Sequence, residues 1–122
     1  MRALIVDDSR FTRDYLKLLL MRRGLDCMAA ENGAAGLECL GCSGPYGVAL
    51  VDWNMPVMGG LEMVKAMRRD PALDGLKILM VTTEAENGNI EAALEAGADE
   101  YLMKPFDETC LVEKLGMIGV LP

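Results

Sequence analysis

Short continuous apolar runs alternate along this chain with stretches in which apolar residues recur at helical spacing. The first run, Ala3-Leu4-Ile5-Val6 within residues 2–6, suits a strand buried on both faces, as in a parallel sheet. Ser9 is placed to cap a helix. Phe11, Tyr15, Leu18 and Leu19 predict its core stripe, and Arg22-Arg23-Gly24 predicts its end. A second strand is expected from Leu25 to Ala30. Asn32-Gly33 then turns the chain into a short helix with Ala34, Leu37 and Leu40 on one face. Residues 41–47, Gly-Cys-Ser-Gly-Pro-Tyr-Gly, are a loop by composition. The third strand is 48–52, an apolar run that stops at Asp52. The loop 53–60 ends in Gly59-Gly60, and Leu61, Val64, Met67 and Arg68 mark a helix that closes near Asp70-Pro71. A fourth strand runs from Lys77 to Thr82. Ile90, Ala93 and Leu94 build a helix that stops at Gly97. Glu100 to Met103 is a short fifth strand, and Asp107 caps a last helix carrying Leu111, Leu115 and Ile118.

Strands alternating with helices in this way predict an α/β fold, with helices on both faces of a parallel sheet. Right-handed crossovers leave few topologies open. The 122 residues fit one domain, 1–122, and the hydrophobic content of 52% supplies a core without staples. Ten methionines are expected mainly as core filler rather than as an adaptable binding surface.

A net charge of -7 argues against a nucleic-acid grip and against an anionic membrane surface. No run reaches the length of a membrane span and no signal region opens the chain, so a cytoplasmic location is expected. Cys27, Cys39, Cys42 and Cys110 do not form a disulfide framework in a chain with this much core. Cys39-x-x-Cys42 has no second pair at ligand spacing, so it reads as two ordinary thiols. The chain has no histidine, so a phosphohistidine, if one takes part, lies on a partner.

The chemistry collects at strand ends. The first strand stops at Asp7-Asp8, the third at Asp52, and Lys104 follows the fifth. A lone aspartate at a strand end ordinarily caps a turn or helix, and a lone lysine ordinarily sits in solvent. Their joint placement is what points to a pocket. Unit charges ~4 Å apart repel by about 4 kcal/mol at an effective dielectric of about 20. Clustered carboxylates therefore need a cation. Lys104 is one candidate. Hard oxygen ligands in an incomplete set suit Mg²⁺, which keeps several waters and often shares its shell with a phosphate. Carboxylate, Mg²⁺ and lysine converging on one point would stabilise a phosphoryl group in transfer, with Asp52 as the nucleophile.

At these residues the chain resembles response regulator receiver domains. The resemblance rests on Asp7-Asp8, Asp52, Thr82 and Lys104-Pro105-Phe106, and it covers essentially the whole chain. Asp52-Trp53-Asn54-Met55-Pro56 and Met80-Val81-Thr82-Thr83-Glu84-Ala85 are most similar to the single-domain chemotaxis regulators, the CheY-like group. The resemblance implies a flavodoxin-like doubly wound sheet of five parallel strands in the order 2-1-3-4-5 with five helices, its switch point between strands one and three. It implies a phosphorylation-activated switch of a two-component system, with Asp52 as phosphoacceptor and a histidine kinase as donor. Asp8, Asp52 and the main-chain carbonyl of Asn54 would ligate Mg²⁺, and Asp7 would act through a bound water. Lys104 would pair with the phosphoryl oxygens and Thr82 would bond them through its hydroxyl. Tyr101 would change rotamer as Thr82 moves. Asn54 and Glu84 would tune the lifetime of the phosphate, which their identities predict to be short. A face made of helix four, strand five and helix five would contact a protein target, such as the flagellar motor switch.

Two positions depart from the family's pattern. Gly59 replaces an acid or small polar residue, which loosens the loop. Thr83 is bulkier than the usual residue and narrows access to the site. The bottom-up reading supports Thr82, which ends its strand level with Asp52. It does not single out Tyr101, because an aromatic on an edge strand is ordinary.

Other functions fit the architecture less well. A Mg²⁺-dependent aspartyl-phosphate phosphohydrolase would need an Asp-x-Asp motif and a cap region. A flavin or nucleotide binder would need a phosphate-cradling loop where Asp7-Asp8-Ser9-Arg10 stands, and no G-x-x-x-x-G-K-[ST] occurs. The expectation is therefore a monomeric binding module. Its only chemistry would be its own phosphorylation and dephosphorylation, with no DNA-binding output domain unless the chain is a fragment of a larger regulator.

Overall fold

A computed structural model of the chain describes residues 1–83 and 87–122. Along it run β1 (Arg2–Val6), α1 (Arg10–Met21), β2 (Asp26–Ala30), α2 (Gly33–Cys42), β3 (Val48–Asp52) and α3 (Gly60–Arg68). A 3-10 turn (Pro71–Leu73), β4 (Lys77–Thr82), α4 (Asn87–Ala96), β5 (Glu100–Met103) and α5 (Glu108–Met117) complete it. The strands are all parallel, in the expected order β2-β1-β3-β4-β5. No helix of the described residues is long and apolar enough to cross a membrane.

The central strands β1, β3 and β4 are apolar through their interiors because both faces of the sheet are covered there, whereas the edge strand β2 begins at Asp26 and is largely exposed. Side chains alternate faces along a strand, so each run feeds two cores. Ile5, Leu50, Leu79 and Val81 pack with Leu16, Leu19 and Leu20 of α1 and with Leu111 and Leu115 of α5. Leu4, Val6, Ala49, Val51, Ile78 and Met80 pack with Met63, Val64 and Met67 of α3 and Ala93 of α4.

Three helices start on side-chain caps, Ser9 and Asp107 as expected and Asn32 in addition, while α3 starts at Gly59 without one. Ser9 Oγ accepts the Thr12 N–H at 3.3 Å, Asn32 Oδ1 that of Ala35 at 2.8 Å, and Asp107 Oδ1 that of Cys110 at 2.9 Å. Gly24 and Gly97 end their helices with φ of 84° and 122°, a conformation glycine adopts without strain.

Three predicted helix faces are wrong in detail. On α1 the buried stripe is Leu16, Leu19 and Leu20, while Phe11 is 71% exposed and Leu18 is 53% exposed. On α2 the buried residues are Gly33 and Gly36, and Ala34 is exposed. A Cβ on Gly36 would lie 2.9 Å from Val6 Cγ2 and 2.7 Å from Met63 Cε, so the helix sits down on its glycines. On α4 Leu94 is exposed and Ala93 is buried. Core filling describes Met63, Met67 and Met80 but not Met1, Met21, Met28 and Met117, which are exposed.

Arg68, at the end of α3, ties several elements together. Its guanidinium donates to the carbonyls of Gly97, Leu73 and Leu76 and to Asp99 Oδ2, which also accepts the Ile78 N–H.

Candidate acidic site

Register brings the strand ends level. Val6 pairs with Val51, Asp52 with Val81, and Thr82 with Met103. Asp7, Asp52, Thr82 and Lys104 therefore emerge at the same end of four adjacent strands. Asp7, Asp52 and Thr82 are the buried polar or charged residues among those described, at 1%, 8% and 4% exposure. Asp8 is exposed.

Main-chain and side-chain bonds from neighbouring elements fix Asp7 and Lys104. The Asp7 N–H donates to Ala30 O at 3.1 Å, its Oδ1 accepts the Ser9 N–H at 2.8 Å, and Arg13 Nη1 donates to its carbonyl at 2.6 Å. Asp52 Oδ1 accepts the Trp53 N–H at 2.9 Å. The Lys104 N–H donates to Thr82 O at 2.8 Å, which hangs the lysine from the end of β4. Lys104 Nζ lies 2.8 Å from Asp7 Oδ2 and 3.5 Å from Asp52 Oδ1. Beneath the site, Gly60 lets α3 approach β3 so closely that a Cβ there would stand 2.1 Å from Asp52 O.

Carboxylate oxygens of Asp7, Asp8 and Asp52 fall within 4.8 Å of one another. One ammonium faces them. Burial pushes the Asp52 carboxyl up to about 6 and the Asp7 charge adds to that, while Lys104 pulls it down and Asp8 raises it further. The donor set is hard oxygen, it is short of cations, and Asp8 opens it to water. These are the features that fit Mg²⁺.

The structure thus gathers Asp7, Asp8, Asp52, Thr82 and Lys104 as expected. Asn54 lies exposed on the loop beyond Asp52. Thr83 and Lys104 line one apolar hollow with Phe11, Tyr15, Pro105 and Phe106, so Thr83 does stand at the approach to the lysine. Glu84 lies outside the described residues. Tyr101 is half-buried beside Thr82, lining a small cavity with it. Cys39 and Cys42 are free thiols on α2, and among the described residues neither joins a group of three or more potential metal ligands. Arg13 was missed. Its position one turn after Ser9, on the helix that follows the acidic strand end, was the available signal.

A family model described as response regulator receiver domain matches residues 3–116. The chain is 40% identical over 119 residues to Chemotaxis protein CheY1 of Helicobacter pylori, covering 97% of this chain and 96% of that protein. It is 40% identical over 116 residues to the Chemotaxis protein CheY homolog of Campylobacter jejuni, covering 94% and 89%. The solved structure of chemotaxis response regulator CheY4 of Vibrio cholerae superposes with a TM-score of 0.89 at 32% identity, covering 96% and 97%. Fold, strand-end carboxylates and these matches agree: the chain belongs to the response regulator receiver domains, the phosphorylation-activated switches of two-component systems.

Proposed function

We propose that the chain takes a phosphoryl group onto Asp52 from a phosphohistidine on a separate histidine kinase, and passes the signal on through a protein contact in chemotaxis. The observation that carries this is the state of Asp52. It is 8% exposed, ends a central strand, and has its Oδ1 fixed by the Trp53 N–H and faced by Lys104. With its carboxyl pushed up to about 6, it is ionised at neutral pH yet more basic than an ordinary aspartate. In the transfer, a carboxylate oxygen attacks phosphorus as the phosphorus–imidazole bond breaks, giving an acyl phosphate.

Receiver domains bind Mg²⁺ at an acidic pocket, and this chain has one. Asp8 and Asp52 with the carbonyl of Asn54 would hold the ion, and Asp7 would act through a bound water; the ion, when bound, offsets the carboxylates and the charge on the phosphoryl group. Lys104 would turn from Asp7 to the phosphoryl oxygens. The Thr82 hydroxyl would follow, and Tyr101 would move toward the space beside it. Asn54 and Glu84 would keep the phosphate short-lived. The changed surface is α4, β5 and α5. Its target is a protein of the chemotaxis pathway, a reading that the relatives' names support, and the flagellar motor switch is the target we assign to it. The chain acts on no free substrate in this reading, and it works in the cytoplasm as a monomer.

Trp53, the sole tryptophan, adjoins Asp52 and supplies the test. Its fluorescence should change with Mg²⁺ and change again with acetyl phosphate. Asp52→Asn should lose the second change. A full response to acetyl phosphate in that variant would exclude Asp52 as the acceptor.

A further inference from the structure

Two groups outside the acidic pocket, on α5 and β5, also hold Tyr101. Its side chain lines a small cavity with Trp53, Met80, Thr82, Ile90 and Ala93. From α5, the Lys114 ammonium sits 4.5 Å from the centroid of the Tyr101 ring, within cation–π range. The same ammonium lies 3.5 Å from Glu100 Oε1. That oxygen also accepts the Tyr101 main-chain N–H, at 3.0 Å. The Lys114 and Glu100 side chains are 24% and 18% exposed. Partial removal from water strengthens both the ion pair and the ring contact relative to an open surface. A lysine in the last turn of a helix is ordinarily explained by the helix's own terminal carbonyls. Here the ammonium reaches to β5.

We infer that Lys114 is a positioning residue for Tyr101. Its ammonium, anchored by Glu100, holds the ring in the rotamer this structure shows, and a ring that moves further into the cavity beside Thr82 has to break that contact. This rests on the reading of Tyr101 as the moving part of the switch, and it identifies what restrains the motion. Neutralising residue 114 then enlarges the fraction of molecules with the ring inward before any phosphorylation. A process that needs the inward state gains by the same factor. For a partly shielded cation–π contact, that factor is about threefold to tenfold.

The full chain labelled with 3-fluorotyrosine reports the ring directly. It has three tyrosines, and Tyr101→Phe identifies the signal. Lys114→Met keeps the aliphatic stem and removes the charge. Lys114→Arg keeps a cation that also stacks on aromatic rings. The Tyr101 fluorine signal is expected to shift in Lys114→Met and to stay near its parent position in Lys114→Arg. The Trp53 response to acetyl phosphate with Mg²⁺ is expected to run about threefold or more faster in Lys114→Met. An unmoved Tyr101 signal in Lys114→Met overturns the inference, and so does an equal shift in both variants. If Lys114→Met does not fold, Glu100→Gln replaces it. Gln still accepts the Tyr101 N–H but no longer anchors the ammonium, so the signal shifts the same way, and no shift overturns the inference. The fluorine comparison uses no phosphodonor. A failure of the phosphoacceptor reading shows instead as a parent Trp53 that ignores acetyl phosphate.

Discussion

Lys104 lies closer to Asp7 than to Asp52: its ammonium lies 2.8 Å from Asp7 Oδ2 and reaches Asp52 Oδ1 at 3.5 Å. The lysine is therefore the resting counter-charge of the acidic pocket, and its side chain is only 16% exposed. Lys104→Met would leave buried Asp7 beside Asp52 without a cation. Removing one partner of a buried pair is strongly unfavourable, and with Asp8 open to water the expected loss is about 2–4 kcal/mol in chelator. Mg²⁺ should restore part of that loss and should bind more tightly than in the parent. Urea denaturation with EDTA and with Mg²⁺ measures both effects. Equal stability of variant and parent in EDTA would mean the lysine is not the offsetting charge.

The pH dependence of the metal-free protein follows from Asp52. Its carboxyl is pushed from 3.8 up to about 6 on folding, by burial first and the Asp7 charge second. Between those values the native state holds a proton that the unfolded chain has released. Stability therefore falls as pH rises through this window, the reverse of the usual paired carboxylate. Asp52→Asn removes the ionisation. Its advantage over the parent should be small near pH 4, grow toward pH 6 and then level off, reaching about 1–2 kcal/mol after allowance for solvent screening. Paired denaturation curves in chelator across pH 4–8 check this. An advantage that shrinks with rising pH would contradict it.

Strand runs and strand ends were readable because a parallel sheet buries both faces and leaves an unbroken apolar signature. Val48 to Asp52 shows this best, with every residue buried. Helix faces were not equally readable. In α1, Phe11-Tyr15-Leu18 and Leu16-Leu19-Leu20 are both apolar at helical spacing, and only the position of the sheet decides which is buried. Asp7 and Asp8 are adjacent and chemically identical, yet one is buried and one exposed, because Asp7 directly follows the buried end of β1 and Asp8 lies one residue further out on the loop. Neither Arg13 nor Lys114 stands out in the sequence, since charged residues on helices are ordinarily solvated. Their partners, the Asp7 carbonyl and the Tyr101 ring, are set by packing between elements.

Val57 is the non-glycine residue with positive φ among those described, at 68°, and it is 84% exposed. It sits between Pro56 O and Met58 N, which are bonded at 2.7 Å, so the loop after β3 tightens into a γ-turn. A β-branched side chain is strained there and gains no burial in return. Val57→Gly should stabilise the chain by up to about 1 kcal/mol, since glycine adopts positive φ without steric cost and its extra chain entropy offsets only part of the gain. The urea midpoint should rise with an unchanged slope. A lower midpoint would mean the valine makes contacts that outweigh its backbone strain.

Gly60 carries the tightest constraint near the site. It opens α3 directly below Asp52, its N–H donates to Trp53 O at 2.9 Å, and a Cβ would stand 2.1 Å from Asp52 O and 3.0 Å from Met80 Cε. The nearest atom is main chain of a central strand, so it has no rotamer through which to yield. Gly60→Ala must displace either α3 or the end of β3. The expected loss of stability is about 1–3 kcal/mol, typical of forced overpacking. The same displacement moves the Asp52 carboxylate relative to Asp7 and Lys104, so the Trp53 responses to Mg²⁺ and to acetyl phosphate should both weaken. Gly59→Ala is the control. Its Cβ would meet only Trp53 O, at 3.4 Å, an ordinary contact. That variant should keep both responses, and if it lost them as fully as Gly60→Ala does, loop rigidity rather than the close approach of α3 to Asp52 would be what the site requires.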